Sequence, residues 1–363
     1  MFRNLRFCCA FAALAALTVG IASAAPAGLD QTGKPDLKSA GALAFGPKGV
    51  LFIGDPQGAQ VVAVDVGTAP KDAIGPNFKL EGADTKIAAL LGTKADDIAI
   101  KDVVVEPGTN IAYVSVMRGK GPTAEPAIVR VDGKGNLTTL PLDKVAYAKI
   151  SISNAPADAP GPKGKASARQ QSITDLAYVD GKLFIAGLSN EEFASKLRSV
   201  EFPFKSSDTA TSVEIFHTNH NAVETRSPVQ TFVPFNVGGE PQILAAYTCT
   251  PLVTFPVSSL KQGQKVHGKT VAELGNRNQP IDMIVYEKDG KQFLLLSNSA
   301  RGVMKISTDN IEKQPALEAK VNDKAGLPYE TITSLEGATQ LDKVGNANVL
   351  VLAKGNLEVV PLP

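Results

Sequence analysis

Tryptophan is absent from the 363 residues, and histidine and cysteine occur only three times each. Aromatic residues make up 6% of the chain, which leaves little from which to build a stacking platform for sugars or bases. The formal charge is +1, with acids and bases interspersed. That balance excludes the one-signed surface that nucleic acid or an anionic membrane requires. Cys8 and Cys9 lie near the start and leave Cys249 as the one thiol of the remainder. A chain with one thiol has no internal disulfide, so burial alone must hold it together. Short catalytic signatures are missing as well. There is no Gly-x-Ser-x-Gly elbow, phosphate loop, His-Glu-x-x-His or Cys-x-x-Cys-His.

The first residues are distinctive. Arg3 and Arg6 precede an unbroken small-to-apolar run, Phe11–Ile21, followed by Ala22-Ser23-Ala24. This is the pattern of an export signal, with small residues where signal peptidase reads. Residues 1–24 are read as that signal, cleaved after Ala24, with an uncleaved anchor as the alternative. Cys8 and Cys9 precede the apolar run, so they are not a lipid-attachment site. The mature chain of about 340 residues is predicted to be periplasmic or secreted, with a charge near −1 and no later segment long enough to span a membrane. Residues 25–38, rich in Pro, Gly and polar groups, read as a flexible lead-in. Residues 39–363 are read as one domain.

Pro280–Ile306, PIDMIVYEKDGKQFLLLSNSARGVMKI, shows how that domain is written. Three short apolar strands are separated by Lys-Asp-Gly and Ser-Ala-Arg-Gly turns, which makes a β-meander. Similar grammar recurs along the chain, with second strands beginning near Val50, Ile111, Leu183, Ile243, Gln292 and Asn348. No long helical segment intervenes. Ile87–Leu91 suggests a short helix, and Glu191–Arg198, NEEFASKLR with its neighbours, suggests an inserted helical turn. The third strand of that unit is then placed at Ser212–Phe216. An all-β chain of successive meanders in which sequence neighbours are spatial neighbours predicts a single six-bladed β-propeller. A seven-bladed ring is the alternative if Asn77–Leu91 hides a degenerate blade.

The stretches ALAFGPKGVLFIGD and PIDMIVYEKDGKQFLLLSNSARGVMKI resemble the NHL and YVTN class of secreted propellers. They share that class's order of first strand, Gly turn, second strand and Asn/Asp turn. The Asn-Arg turn of the class survives here only as Asn298-Ser299-Ala300-Arg301. The resemblance implies the propeller fold. Because the class includes binding scaffolds, lactonase-type hydrolases and subunits of redox enzymes, it implies no one function.

Two constellations could carry chemistry. His217, His220, Cys249 and His267 fall close together in sequence, and imidazoles with a thiolate are donors for copper or zinc. A buried inert cysteine and solvated loop histidines are the plain alternative. Asp102, Asp175 and Asp282 each head a first strand in equivalent register and would face the central channel together. Such a ring suits calcium; equally, each carboxylate could clip backbone N–H groups of its own or the next blade. Two functional readings follow. One is a binding or accessory module of the cell envelope, presenting loops to a protein or small-molecule ligand. The other is a metal-dependent propeller enzyme, either a copper redox site at His217, His220 and Cys249 or a calcium-dependent lactonase-type hydrolase. Whether the chain is an enzyme is left open by its sequence.

Overall fold

A computed structural model of the chain describes residues 26–161, 167–205, 207–248, 251–275 and 277–363. The expected signal segment and Cys249 therefore lie outside the described residues. No helix among the described residues is long and apolar enough to cross a membrane.

Six small antiparallel sheets stand in a ring, and the fold is a six-bladed β-propeller. Each blade is a meander, for the reason visible in the sequence. In the fifth blade Asp289 and Gly290 both take positive φ, 53° and 71°, between the paired residues Lys288 and Lys291. That is the conformation a two-residue hairpin with the sheet's own twist demands. Asp180-Gly181 and Lys354-Gly355 repeat it in the third and sixth blades. The second strands are the best-buried elements: Val50–Asp55, Ala112–Arg118, Lys182–Leu188, Glu240–Tyr247, Lys291–Asn298 and Asn348–Ala353. All six coincide with those read from the sequence. Asn77–Leu91 is no seventh blade. It supplies the two-residue strand Lys79–Leu80 and the α-helix Ala83–Leu90.

The order of blades around the ring departs from the order in the chain. The inner strand of the first blade, Leu43–Phe45, packs against those of both the second (Ile98–Val105) and the third (Asp175–Val179). The third packs on the fourth (Val229–Val237), the fourth on the fifth (Pro280–Lys288), and the fifth on the sixth (Ala338–Val344). The sixth returns to the second. Blade two thus stands between one and six, and blades two and three, neighbours in sequence, are not neighbours in space.

The cause lies in the pairing. Blade one takes its fourth strand, Val145–Ser151, from beyond blade two, and its outermost strand is Gln31–Gly33, from the stretch read as a lead-in. Blade two is therefore an insertion between the third and fourth strands of blade one. On the way to it, Lys79–Leu80 pairs with Asn356–Pro361 and completes blade six. Six apolar clusters fill the six interfaces of this ring, so the core is distributed between blades and not gathered at the centre.

One local expectation fails. Ser195–Glu201 is a strand, the third of blade three, and Thr209–His217 is the fourth. Two of the charged residues that made this stretch look helical, Lys196 and Arg198, are buried, Lys196 paired with the exposed Glu191 and Arg198 with the buried Asp208. Pairing to two neighbouring strands overrides the helical propensity of the segment.

Candidate metal centre

Thr209–His217 alternates buried and half-buried residues and ends with His217 on the buried face, its side chain 2% exposed. The chain reverses through Thr218–Asn221, with Asn221 at φ 51°, and returns as Ala222–Glu224. The register sets His217 opposite Ala222 and Glu224 opposite Ile215. Side chains two apart on a strand share a face, so Glu224 lies diagonally across from His217. His220 comes from the turn and is half exposed.

These three side chains converge. Glu224 Oε1 lies 3.0 Å from His217 Nδ1 and 2.5 Å from His220 Nδ1. The imidazole rings are 4.1 Å apart, centre to centre, and tilted by 42°. One ligand atom from each residue falls within 4.8 Å of the other two, the one such group among the described residues. Neither ring nitrogen of His217 has an aligned hydrogen-bond partner, so a buried imidazole is held with its polar edge toward a shared carboxylate. Burial pushes the Glu224 carboxyl up, but the two imidazoles and Ser227 beside it more than offset that, bringing it down to about 2. An ionised carboxylate between two imidazoles is a cation-binding arrangement.

The structure brings His217 and His220 together and adds Glu224, which the sequence alone did not single out. The available signal was the Asn-rich turn after an alternating strand, which returns Glu224 to the face of His217. His267 stands apart: its strand, Lys265–His267, runs parallel to Thr209–His217, and its Nδ1 lies 3.5 Å from Glu214.

A second carboxylate sits behind the group. Glu273, on the fourth strand of blade four, is 1% exposed and accepts a hydrogen bond from Thr218 Oγ1 at 2.7 Å. Burial lifts its carboxyl to about 7, against the pull of Thr218 and the nearby imidazoles. A strap closes over this region, with Leu317 N donating to Thr270 O and Val321 N to Thr218 O.

Asp102, Asp175 and Asp282 all face the central channel, a cavity of about 520 Å³ walled by inner strands of all six blades, and Asp342 joins them. The sequence reading missed Asp342, although Gln340-Leu341-Asp342 offered it. Each spends one oxygen on the N–H of its following residue and the other on an inner-strand N–H of the next blade. Asp102 takes Leu43 N, Asp175 takes Phe232 N, Asp282 takes Leu341 N and Asp342 takes Val105 N, at 2.6–2.7 Å. All four clips run in the same sense around the ring. Burial raises Asp102 to about 8 and Asp175 and Asp342 to about 6, and it raises Asp282 strongly too. These carboxylates are engaged as clips between blades, the alternative the sequence left open.

No known family matches the sequence, and no curated protein does. Among solved structures, a glucose dehydrogenase is similar over 92% of this chain and 98% of its own, at 12% identity and TM-score 0.36. The plexin A4 extracellular region is similar over 92% of this chain and 40% of its own, at 8% identity and TM-score 0.43. Kuenenia stuttgartiensis hydrazine synthase is similar over 91% and 97%, at 11% identity and TM-score 0.31. None of these likenesses is close enough to bear on what this chain does.

Proposed function

We propose that the protein is an exported propeller whose working site is a zinc centre formed by His217, His220 and Glu224. The observation that carries this reading is the placement of one carboxylate oxygen against two imidazole nitrogens, one of them on a buried ring. Two imidazoles and a carboxylate match the donor sets of open zinc sites, which keep a position for water or a ligand. Imidazole and carboxylate are donors that zinc takes readily, and Cys249, the further donor expected for a copper site, lies outside the described residues. The reading of residues 1–24 as an export signal supports a role in the periplasm or beyond. There the centre would serve as the ligand-facing part of a binding or accessory module, and its open position also accommodates hydrolytic chemistry.

The test is metal titration of chelator-stripped full-length protein. One equivalent of zinc should bind. Loss of a mere supporting partner commonly weakens metal sites about 10–100-fold, so His217→Ala and Glu224→Ala should each weaken binding at least about 100-fold, with His267→Ala unchanged. Absence of stoichiometric binding, or equal loss in His267→Ala, would sink the proposal.

A further inference from the structure

His217 is a buried ring whose nitrogens make no aligned hydrogen bond among the described residues. Metal-ligating histidines are ordinarily oriented by such a bond, made by the nitrogen that does not meet the metal. The orientation of His217 comes instead from its backbone and its packing. That backbone is held on both sides by residues 268–273, the fourth strand of blade four and its lead-in. Ahead of His217, the carbonyl of Glu214 accepts from Gly268 N at 2.9 Å, and that of Phe216 accepts from Thr270 Oγ1 at 3.0 Å. Beyond it, Thr218 donates its hydroxyl to Glu273 Oε2 at 2.7 Å, and the side chain of Asn219 bonds the same carboxyl.

The holds on the two sides differ in what they act on. Glu214 and Phe216 belong to a strand already fixed by pairing to its neighbours. Thr218 and Asn219 lie past the end of that strand, in the turn between His217 and His220. There the backbone has only longer bonds to the Thr218 carbonyl, from Asn221 N at 3.2 Å and Val321 N at 3.3 Å. Glu273 grips the side chains of two successive residues of this turn. Thr218 is 0% and Glu273 1% exposed, so no water competes for their bond, and losing it leaves a buried polar group without its partner. The channel aspartates hold backbone N–H groups of inner strands, whereas this carboxyl holds the segment that carries both imidazoles.

We propose that Glu273 is the positioning residue of the His217–His220 pair. Through Thr218 and Asn219 it fixes the turn, so that the two rings meet Glu224 without rearrangement. The consequence for zinc affinity rests on the metal reading above; the orientation of the rings does not.

The test uses full-length protein, whose three histidines give a simple imidazole NMR spectrum in chelator. In Thr218→Val and in Glu273→Met the His217 and His220 signals should move while those of His267 stay in place. The double variant should add no further movement, because both single changes break one bond. Thr218→Ser, which keeps the hydroxyl, should restore the parent spectrum. Thr211→Val removes a comparable buried hydroxyl bond, to Lys261 O at 2.9 Å, from the far end of the same strand. It should lower the melting temperature and move none of the three histidines. Zinc affinity should fall about 10–100-fold in Thr218→Val and Glu273→Met and be retained in Thr218→Ser and Thr211→Val. Unmoved His217 and His220 signals, movement of all three histidines, or additive effects in the double variant would each overturn the proposal. A parent that binds no zinc while its histidine signals respond as stated would keep the positioning role and overturn the metal reading alone.

Discussion

Arg198 is the largest side chain that the fold seals completely. Its Nε lies 3.0 Å from Asp208 Oδ2, with the two side chains 0% and 1% exposed. Asp208 also accepts from the backbone N and the hydroxyl of Ser153, while Arg198 Nη2 donates to Ser153 O. Ser153 follows the fourth strand of blade one, so the pair ties blade one to blade three. No channel aspartate clips that interface, because Leu43-Ala44-Phe45 carries none. Removing one member of a buried ion pair leaves the other charge uncompensated and costs about 3–5 kcal/mol. Asp208→Ala should lose that much in urea unfolding, and the double variant Arg198→Met/Asp208→Ala should recover part of it. At this scale the sequence was least legible. Charges at Lys196 and Arg198 looked like the polar face of a helix, and only their partners, Glu191 and Asp208, show why they are buried in a strand. Glu224 and Glu273 were hidden for the same reason: a carboxylate acquires its role from residues brought to it by pairing across a sheet.

Individual strands were far more legible. Short unbroken apolar runs and Gly-bearing turns marked every second strand, since each is buried on both faces and bounded by tight reversals. Short outer strands escaped, because Gln31–Gly33, Lys79–Leu80 and Lys324–Gly326 are too brief to show a period. Their presence rests on backbone geometry. Gly326 has φ 74°, and a Cβ built there would lie 2.2 Å from Val271 O. Gly326→Ala should therefore detach its strand from blade four at a cost of roughly 2–3 kcal/mol. Hydrogen exchange should accelerate at Leu327 N and at the amides pairing Ala272–Leu274 with Lys324–Gly326, and stay unchanged in blade one. Uniform acceleration throughout the molecule would argue against a local role.

For the whole molecule, four of the six interfaces carry an aspartate clip, and the pH dependence of stability should report them. Their carboxyls are raised in the fold above the usual value near 3.9, so protonation favours the folded state. That contribution is complete below pH about 4 and is lost as pH rises, through about 6 for Asp175 and Asp342 and about 8 for Asp102. Stability should fall between pH 4 and 8.5, with Asp102, Asp175 and Asp342 each contributing about 1–3 kcal/mol after allowance for channel exposure and Asp282 acting in the same direction. Asp175→Asn should flatten the part of the curve between pH 4 and 6.5. A wild-type protein more stable at pH 8 than at pH 5 would contradict the burial of these groups. Blade number could be read from the sequence, whereas blade order could not, because it is set by Val145–Ser151 returning to blade one after a whole blade has intervened.

The pairing of Lys79–Leu80 with Asn356–Pro361 has a consequence in time. Gly82 N reaches Asn356 Oδ1 across 274 residues of sequence, so a growing chain offers the first half of this contact long before it possesses the second. Until Asn348–Ala353 and Asn356–Pro361 have been made, the apolar cluster around Ile74, Phe78, Leu80 and Ile87 lacks Leu350, Leu352 and Leu357. The ring therefore cannot lock while its first blades emerge. Residues made early wait for strands made much later to secure them.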